Sequence, residues 1–127
     1  MKERSVSDLL EKDELPPGFS YPLAFRRIFD LGLVNLEPWW LLSGETLRLR
    51  FQGLRARYPM RCLIPFARRT DNDDVACWDY SKGNRTVCII HDFASEGWEQ
   101  REEFPTFYDW FRQAIEDLIE FDDYSDQ

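Results

Sequence analysis

Catalysis by this chain would have to begin at His91, its only histidine, since imidazole is the commonest proton-transfer group near neutral pH. Cys88 lies three residues before it and Asp92 one after, which invites a Cys–His–Asp nucleophile relay. The surrounding run Val87-Cys88-Ile89-Ile90-His91 reads as a β-strand, where adjacent residues, and residues three apart, point to opposite faces. The three side chains therefore need another segment before they can act together. A single histidine at a strand end, beside an aspartate, reads as structural. No glycine-rich phosphate loop and no G-x-S-x-G elbow occurs. The chain is expected not to be an enzyme and to need no cofactor.

The metal-ligating residue types lead to the same place. Cys62, Cys77 and Cys88 include no C-x₂-C pair, and Cys88-x₂-His91 would send its two ligands to opposite faces of a strand. An odd number of cysteines without an export signal reads as free, buried thiols. Asp71-Asn72-Asp73-Asp74 has the acidity of a calcium loop but lacks the glycine of an EF-hand and is flanked by strands, so it reads as a turn. No metal is expected. Seven arginines (48, 50, 55, 57, 61, 68 and 69) occur between Thr46 and Arg69 without one acid. Alone they would suit a phosphate backbone. From Thr70 onward there are sixteen acids against four bases, so the expectation is that the two halves neutralise one another.

The elements that must hold these residues are centred on Arg61 to Phe93. Three apolar runs with β-branched, aromatic or Cys residues are separated by Thr70-Asp71-Asn72-Asp73 and Ser81-Lys82-Gly83-Asn84. Such punctuation predicts a three-stranded antiparallel meander, with Gly83 free to take positive φ. Pro65 cannot donate to a ladder, so the first strand is predicted to be an edge or irregular there. Val87, Ile89 and Phe93 alternate with Cys88 and Ile90. Both faces are thus apolar: one needs a helical cover, and loops are expected to half-cover the other. Register across the second turn stays open, since a slip of one residue exchanges the faces.

Around the meander, Ser20 is placed as N-cap of a first helix, with Pro22 in its first turn, running to about Gly32. Ala24, Phe25, Ile28, Phe29, Leu31 and Gly32 share its apolar arc. In Pro38-Trp39-Trp40 one ring should face the core and the other the surface, because neighbours on a strand alternate. Ser43 can cap a second helix to about Arg57, with Leu47, Phe51, Leu54 and Tyr58 on one face. Residues 94 to 103 read as a polar loop around Trp98. A last helix over about 105 to 121 carries Phe107, Phe111, Ala114 and Leu118 on its apolar arc and Asp109, Arg112, Gln113, Glu116, Asp117 and Glu120 opposite. It is the best cover for the meander. Residues 1–18 read as an N-terminal tether or loosely docked helix, stopped by Leu15-Pro16-Pro17-Gly18. Residues 19–127 form the single domain. The tail after Phe121 is acidic and expected to fray.

The totals fit one α+β domain. The chain has 127 residues, 43% of them apolar and 16% aromatic, and carries a net charge of −8. That charge argues against direct nucleic-acid binding. No run approaches a membrane span, and the N-terminus lacks the apolar core of a signal peptide, so a cytoplasmic location without membrane association is expected.

In their order and spacing, the segments resemble the SUKH superfamily, which contains bacterial immunity proteins and fungal cell-wall assembly regulators. The resemblance is carried by Pro38-Trp39-Trp40, by Tyr58-Pro59 leading to Leu63-Ile64-Pro65-Phe66-Ala67, by Asp71-Asn72-Asp73-Asp74 and by Val75-Ala76-Cys77-Trp78-Asp79. Val87-Cys88-Ile89-Ile90-His91 and Phe104-Pro105-Thr106-Phe107-Tyr108-Asp109-Trp110 complete it, over roughly residues 21–121. It implies a sheet flanked by helices and a non-catalytic, protein-binding role. That role is an immunity protein neutralising a cognate polymorphic toxin, such as a nuclease, or a regulatory scaffold for another cytosolic protein. The family has no shared active-site motif, so no catalytic residue follows from it.

The partner surface is placed on two polar connections, Asp71, Asp73 and Asp74 at the hairpin tip and Glu96, Trp98 and Glu99 in the later loop. A Trp among carboxylates joins an apolar anchor to electrostatic steering. The other reading folds Trp98 back onto the core and leaves the acids solvated. For the cysteines the expected outcome is three titratable thiols after denaturation without reductant. A titre of one would overturn the expected compartment or the expected strand pairing.

Overall fold

The computed structural model describes residues 7–125. Its scaffold is a six-stranded antiparallel sheet whose strands neighbour one another in chain order. They are β1 (Asn35–Leu36), β2 (Trp39–Leu41), β3 (Leu63–Arg69), β4 (Asp74–Asp79), β5 (Val87–His91) and β6 (Gln100–Phe104). Three helices flank it: α1 (Leu23–Asp30), α2 (Gly44–Arg57) and a long C-terminal α3 (Phe107–Ser125). The fold is α+β, with the expected meander as β3–β4–β5 at its centre. Three further strands extend it. β1 and β2 are too short to show a period, and β6, expected as loop, reads Gln-Arg-Glu-Glu-Phe because it is an exposed edge, where charges deter further pairing.

Pro65 lies at an edge position, since β2 pairs only with Ala67, Arg68 and Arg69 of β3, while β4 pairs with its other side. The strand is also irregular there. Pro65 opposes Cys77 and Ala67 opposes Ala76, leaving Phe66 as the extra residue of a bulge; edge positions and bulges are where strands tolerate a missing donor.

Register across the second turn is Val75↔Ile90, Ala76↔Ile89, Cys77↔Cys88 and Trp78↔Val87. Directly opposed residues share a face. Ala76, Trp78, Val87 and Ile89 therefore lie in one layer with Phe66, Phe25 of α1 and Phe107 and Trp110 of α3. Val75, Cys77, Cys88 and Ile90 lie in the other, against Leu54 of α2 and Tyr58 just after it. Only part of the predicted stripe serves the second face: Leu54 and Tyr58 pack there, while Leu47 and Phe51 join the first cluster. The first layer is aromatic. Phe66 meets Trp78 at 4.4 Å and Trp110 at 4.9 Å between ring centroids, and Phe25 stands edge-on to Trp78 at 5.1 Å. Such pairs add to the gain from burial alone.

Helix ends differ from expectation where tertiary burial intervenes. Ser20 is not the N-cap of α1; Pro22 is, without a side-chain cap bond. Phe19 and Tyr21 are both buried, and burying alternate residues keeps the chain extended through Ser20. Leu31, expected on the apolar arc, is exposed. Residues 7–18 are not a tether and contain no helix. Leu10 is buried, its N–H donates to Tyr21 Oη at 3.1 Å, and Gly44 N–H donates to Asp8 O at 2.8 Å. Arg48 reaches Glu14 at 2.7 Å and the Ser7 and Leu9 carbonyls. The first six residues of the expected tether and the last two of the acidic tail lie outside the described residues.

Cys62 precedes β3, Cys77 and Cys88 lie on β4 and β5, and all three are free. Trp39 is buried and Trp40 exposed, which decides between the two rings. In α3 the buried residues are Phe107, Trp110 and Ala114, while Phe111 and Leu118 are partly covered. Asp117, expected in solvent, accepts the Trp39 indole N–H at 2.9 Å and lies 3.4 Å from Arg69. Accordingly, Trp110→Ala should destabilise by about 3–5 kcal/mol and Leu118→Ala by about half that, as cavity cost follows burial. Equal losses in chemical denaturation would show that Trp110 is not the hub.

Candidate functional site

In an antiparallel meander, alternate turns emerge at the same end of the sheet. The β3–β4 turn (70–73) and the β5–β6 loop (92–99) therefore meet, which brings together the two connections singled out in the sequence. Asp92 N–H donates to Asp73 O at 3.0 Å, and Asp74, opposite His91 in the ladder, approaches its Nδ1 at 2.8 Å. Thr70 N–H donates to Pro38 O at 2.8 Å, so the β1–β2 turn borders the same end.

The six expected contact residues fare differently. Trp98 is 76% exposed, so it does not fold back onto the core. Glu96 and Asp73 are exposed, and among the described residues their carboxylates have no bonded partner. Asp71 is exposed but gripped by Arg69 at 2.8 and 3.0 Å. Those bonds hold its carboxyl below the usual range. Asp74 is half-buried on His91. Glu99 is a correction: it is 7% exposed, bonded by Arg61 at 2.9 Å and by Gly97 N–H at 2.7 Å. It shapes the loop from within and offers no free carboxylate. Gly97 needs its positive φ of 95° for that turn.

The loop rests on Asp92, whose side chain is completely buried. Arg57 donates to it through Nε at 2.6 Å and a terminal nitrogen at 2.7 Å, and Arg50 at 2.8 Å. Its Oδ1 also accepts the Phe93 N–H at 2.8 Å. Burial alone would raise this carboxyl, and the Arg57 and Arg50 bonds outweigh it and hold it below the usual range. Tyr58 Oη donates to Ala94 O at 2.7 Å. Phe93, read in the sequence as a core-facing strand residue, has instead left the strand. It takes φ 70°, is 62% exposed and carries the Arg57 guanidinium 4.1 Å above its ring. The available signal was Asp92, a residue type that bonds the backbone just after it and starts turns.

The arginine-rich segment is largely spent inside the fold. Arg50 and Arg57 hold Asp92, Arg61 holds Asp79 and Glu99, and Arg69 holds Asp71 and Asp117. Arg48 pairs with Glu14, and Arg55 lies over Phe51. Cys88 and His91 fall on opposite faces of β5, as the alternation required. Among the described residues, the carboxylates near enough to share a cation are those of Glu11, Asp13 and Glu14, and Glu14 is already held by Arg48.

Asp92, Asp79 and Glu99 all titrate below their ordinary range; burial opposes this, and bonds from arginine, with Ser81 at Asp79 and backbone N–H at Glu99, win. A depressed folded value means the stabilisation is complete above the unfolded value near about pH 4 and is lost as pH falls through the folded value. Tm should therefore hold above about pH 5 and drop steeply below about pH 4. Asp92→Asn should cost about 3 kcal/mol at neutral pH and flatten the acid limb. An unchanged acid limb would show that Asp92 does not carry it.

Compared with protein-family models, curated proteins and solved structures, the chain matches none.

Proposed function

We propose that this protein is a non-catalytic binding domain, an immunity protein that neutralises a cognate toxin by stoichiometric contact at the loop end of its sheet. The observation that carries the reading is Trp98, 76% exposed on a loop braced by buried ion pairs, with the free carboxylates of Asp73 and Glu96 at the same end. An exposed indole on a rigid support is the residue type that anchors interfaces, and surrounding negative charge speeds encounter with a basic partner. The SUKH-like segments supply the toxin-neutralising half of the reading. A toxic nuclease, with its positive phosphate-binding groove, is the partner class that an acidic surface best opposes. The consumption of the arginine-rich segment by internal carboxylates speaks against direct binding of nucleic acid.

The test is co-expression with a toxin encoded beside this gene, scoring survival and co-purification. Wild type is expected to protect and to co-purify at a one-to-one ratio. Trp98→Ala and the Asp73→Lys/Glu96→Lys double variant should each lose at least about tenfold in affinity, with binding weakening as salt rises. If both variants bind as wild type does, the surface is wrong. If wild type neither binds nor protects, the immunity reading gives way to a scaffold for another cytosolic protein.

A further inference from the structure

Phe93 is not placed by core packing; the contact its ring makes is with the Arg57 guanidinium. Its backbone sits at φ 70°, a region that costs a residue with a Cβ about 1 kcal/mol or more and glycine almost nothing. Its ring is not repaid by burial, being 62% exposed. The conformation is nevertheless fixed from several sides. Asp92 Oδ1 takes its N–H, Ala94 N–H returns to His91 O at 3.3 Å, Tyr58 Oη holds the Ala94 carbonyl, and Arg57 covers one face of the ring. Asp92 is itself immobilised by Arg50 and Arg57. Buried charge is here committed to displaying an aromatic ring in a costly conformation.

The chemistry the ring accepts is already on view. A guanidinium stacks on it at 4.1 Å, a close cation–π distance. In the same loop stands the exposed Trp98, and at the same end of the sheet are the unpartnered carboxylates of Asp73 and Glu96. Aromatic rings and free carboxylates at one end of a sheet suit arginine or lysine, since the ring quadrupole and the carboxylate both favour a cation and the ring also takes up the apolar stem. Arg57 does not fill this role for the loop, because it is bidentate on Asp92.

We propose that Phe93 and Trp98, with Asp73 and Glu96, form a receptor for an arginine- or lysine-bearing segment of a partner protein, and that the Arg50–Asp92–Arg57 group holds Phe93 ready for it. This deepens the partner-binding reading above and rests on it for the identity of the partner. Phe93 is the contact residue, and Asp92 is a positioning residue acting through it.

Two measurements test it. The first needs no natural partner: the isotopically labelled protein is titrated with an oligoarginine peptide and followed by amide chemical shifts. Saturable shifts confined to residues 71–74 and 92–98 are expected. Phe93→Ala and Trp98→Ala, which leave net charge unchanged, should each weaken binding at least about fivefold. Glu116→Gln/Glu120→Gln on the outer face of α3 should leave it unchanged. Shifts that follow α3, or wild-type affinity in Phe93→Ala, overturn the receptor. In the second, Phe93→Gly and Phe93→Ala are compared by thermal unfolding. Both lose the ring, so only the backbone differs. The glycine variant should melt higher, the reverse of the usual order, and a higher-melting alanine variant would overturn the held conformation. The co-expression assay separates the two readings. Capture lost in Trp98→Ala but intact in Phe93→Ala leaves the proposed function standing and removes this inference, and capture intact in every variant removes this inference together with the loop-end surface.

Discussion

The central strands are apolar on both faces, and water has to be kept from both at once. Val75, Cys77, Cys88 and Ile90 on one side and Ala76, Trp78, Val87 and Ile89 on the other are all buried. At about 25 cal/mol per Å² of apolar surface, neither side can be left open. The helices divide accordingly: α1 and α3 pack on one face, and α2 sends Leu54 to the other and Leu47 and Phe51 to the first cluster. The bulge at Phe66 turns a large ring into the aromatic layer, and that ring then contacts Phe25, Trp78, Phe107 and Trp110. The sheet's own extension follows from the same demand, since β2 places Trp39 against Trp110 and closes one border of the layer.

Charge completes what burial begins. The chain concentrates its arginines on and after α2 and its acids beyond Thr70, and folding lays one set over the other. The result is selective. Asp79, Asp92 and Glu99 are taken out of water with arginine partners, an arrangement that is costly to break even where it adds little net stability. Their common effect is geometric. Arg61 ties the start of β6 to the end of β4, and Arg50 and Arg57 tie α2 to the turn after β5. The loop end of the sheet is fixed by buried charge beneath it and left bare of paired charge at Asp73 and Glu96.

That contrast is what gives the loop end its functional reading. A rigid base beneath exposed aromatic rings lowers the ordering entropy lost on association, and the free carboxylates set the sign of the partner it draws in. The remaining large exposed apolar residues, such as Leu23 on α1 and Met60 after α2, have no comparable support, and singly exposed apolar residues are ordinary on protein surfaces.

The sequence by itself determined the α+β class, the three central strands and their turns, the apolar faces of α2 and α3 and the mutual neutralisation of arginines and acids. These are carried by local period, by turn chemistry and by composition, all of which act over a few residues or over the whole chain. Tertiary structure alone decided the rest. Strands of two and three residues have no period to read, and polar β6 is a strand only because β5 offers it a ladder. Where β2 ends along β3, leaving Pro65 unpaired on that side, is likewise set by tertiary pairing. The candidate site was half legible: two polar connections and Trp98 could be named, but not that alternate turns share an end, nor that Arg61 would draw Glu99 inward. Phe93 was hidden most completely. Its type signals a core, and only the grip of Arg50 and Arg57 on Asp92, contacts spanning 35 to 42 residues of chain, turns it out to solvent.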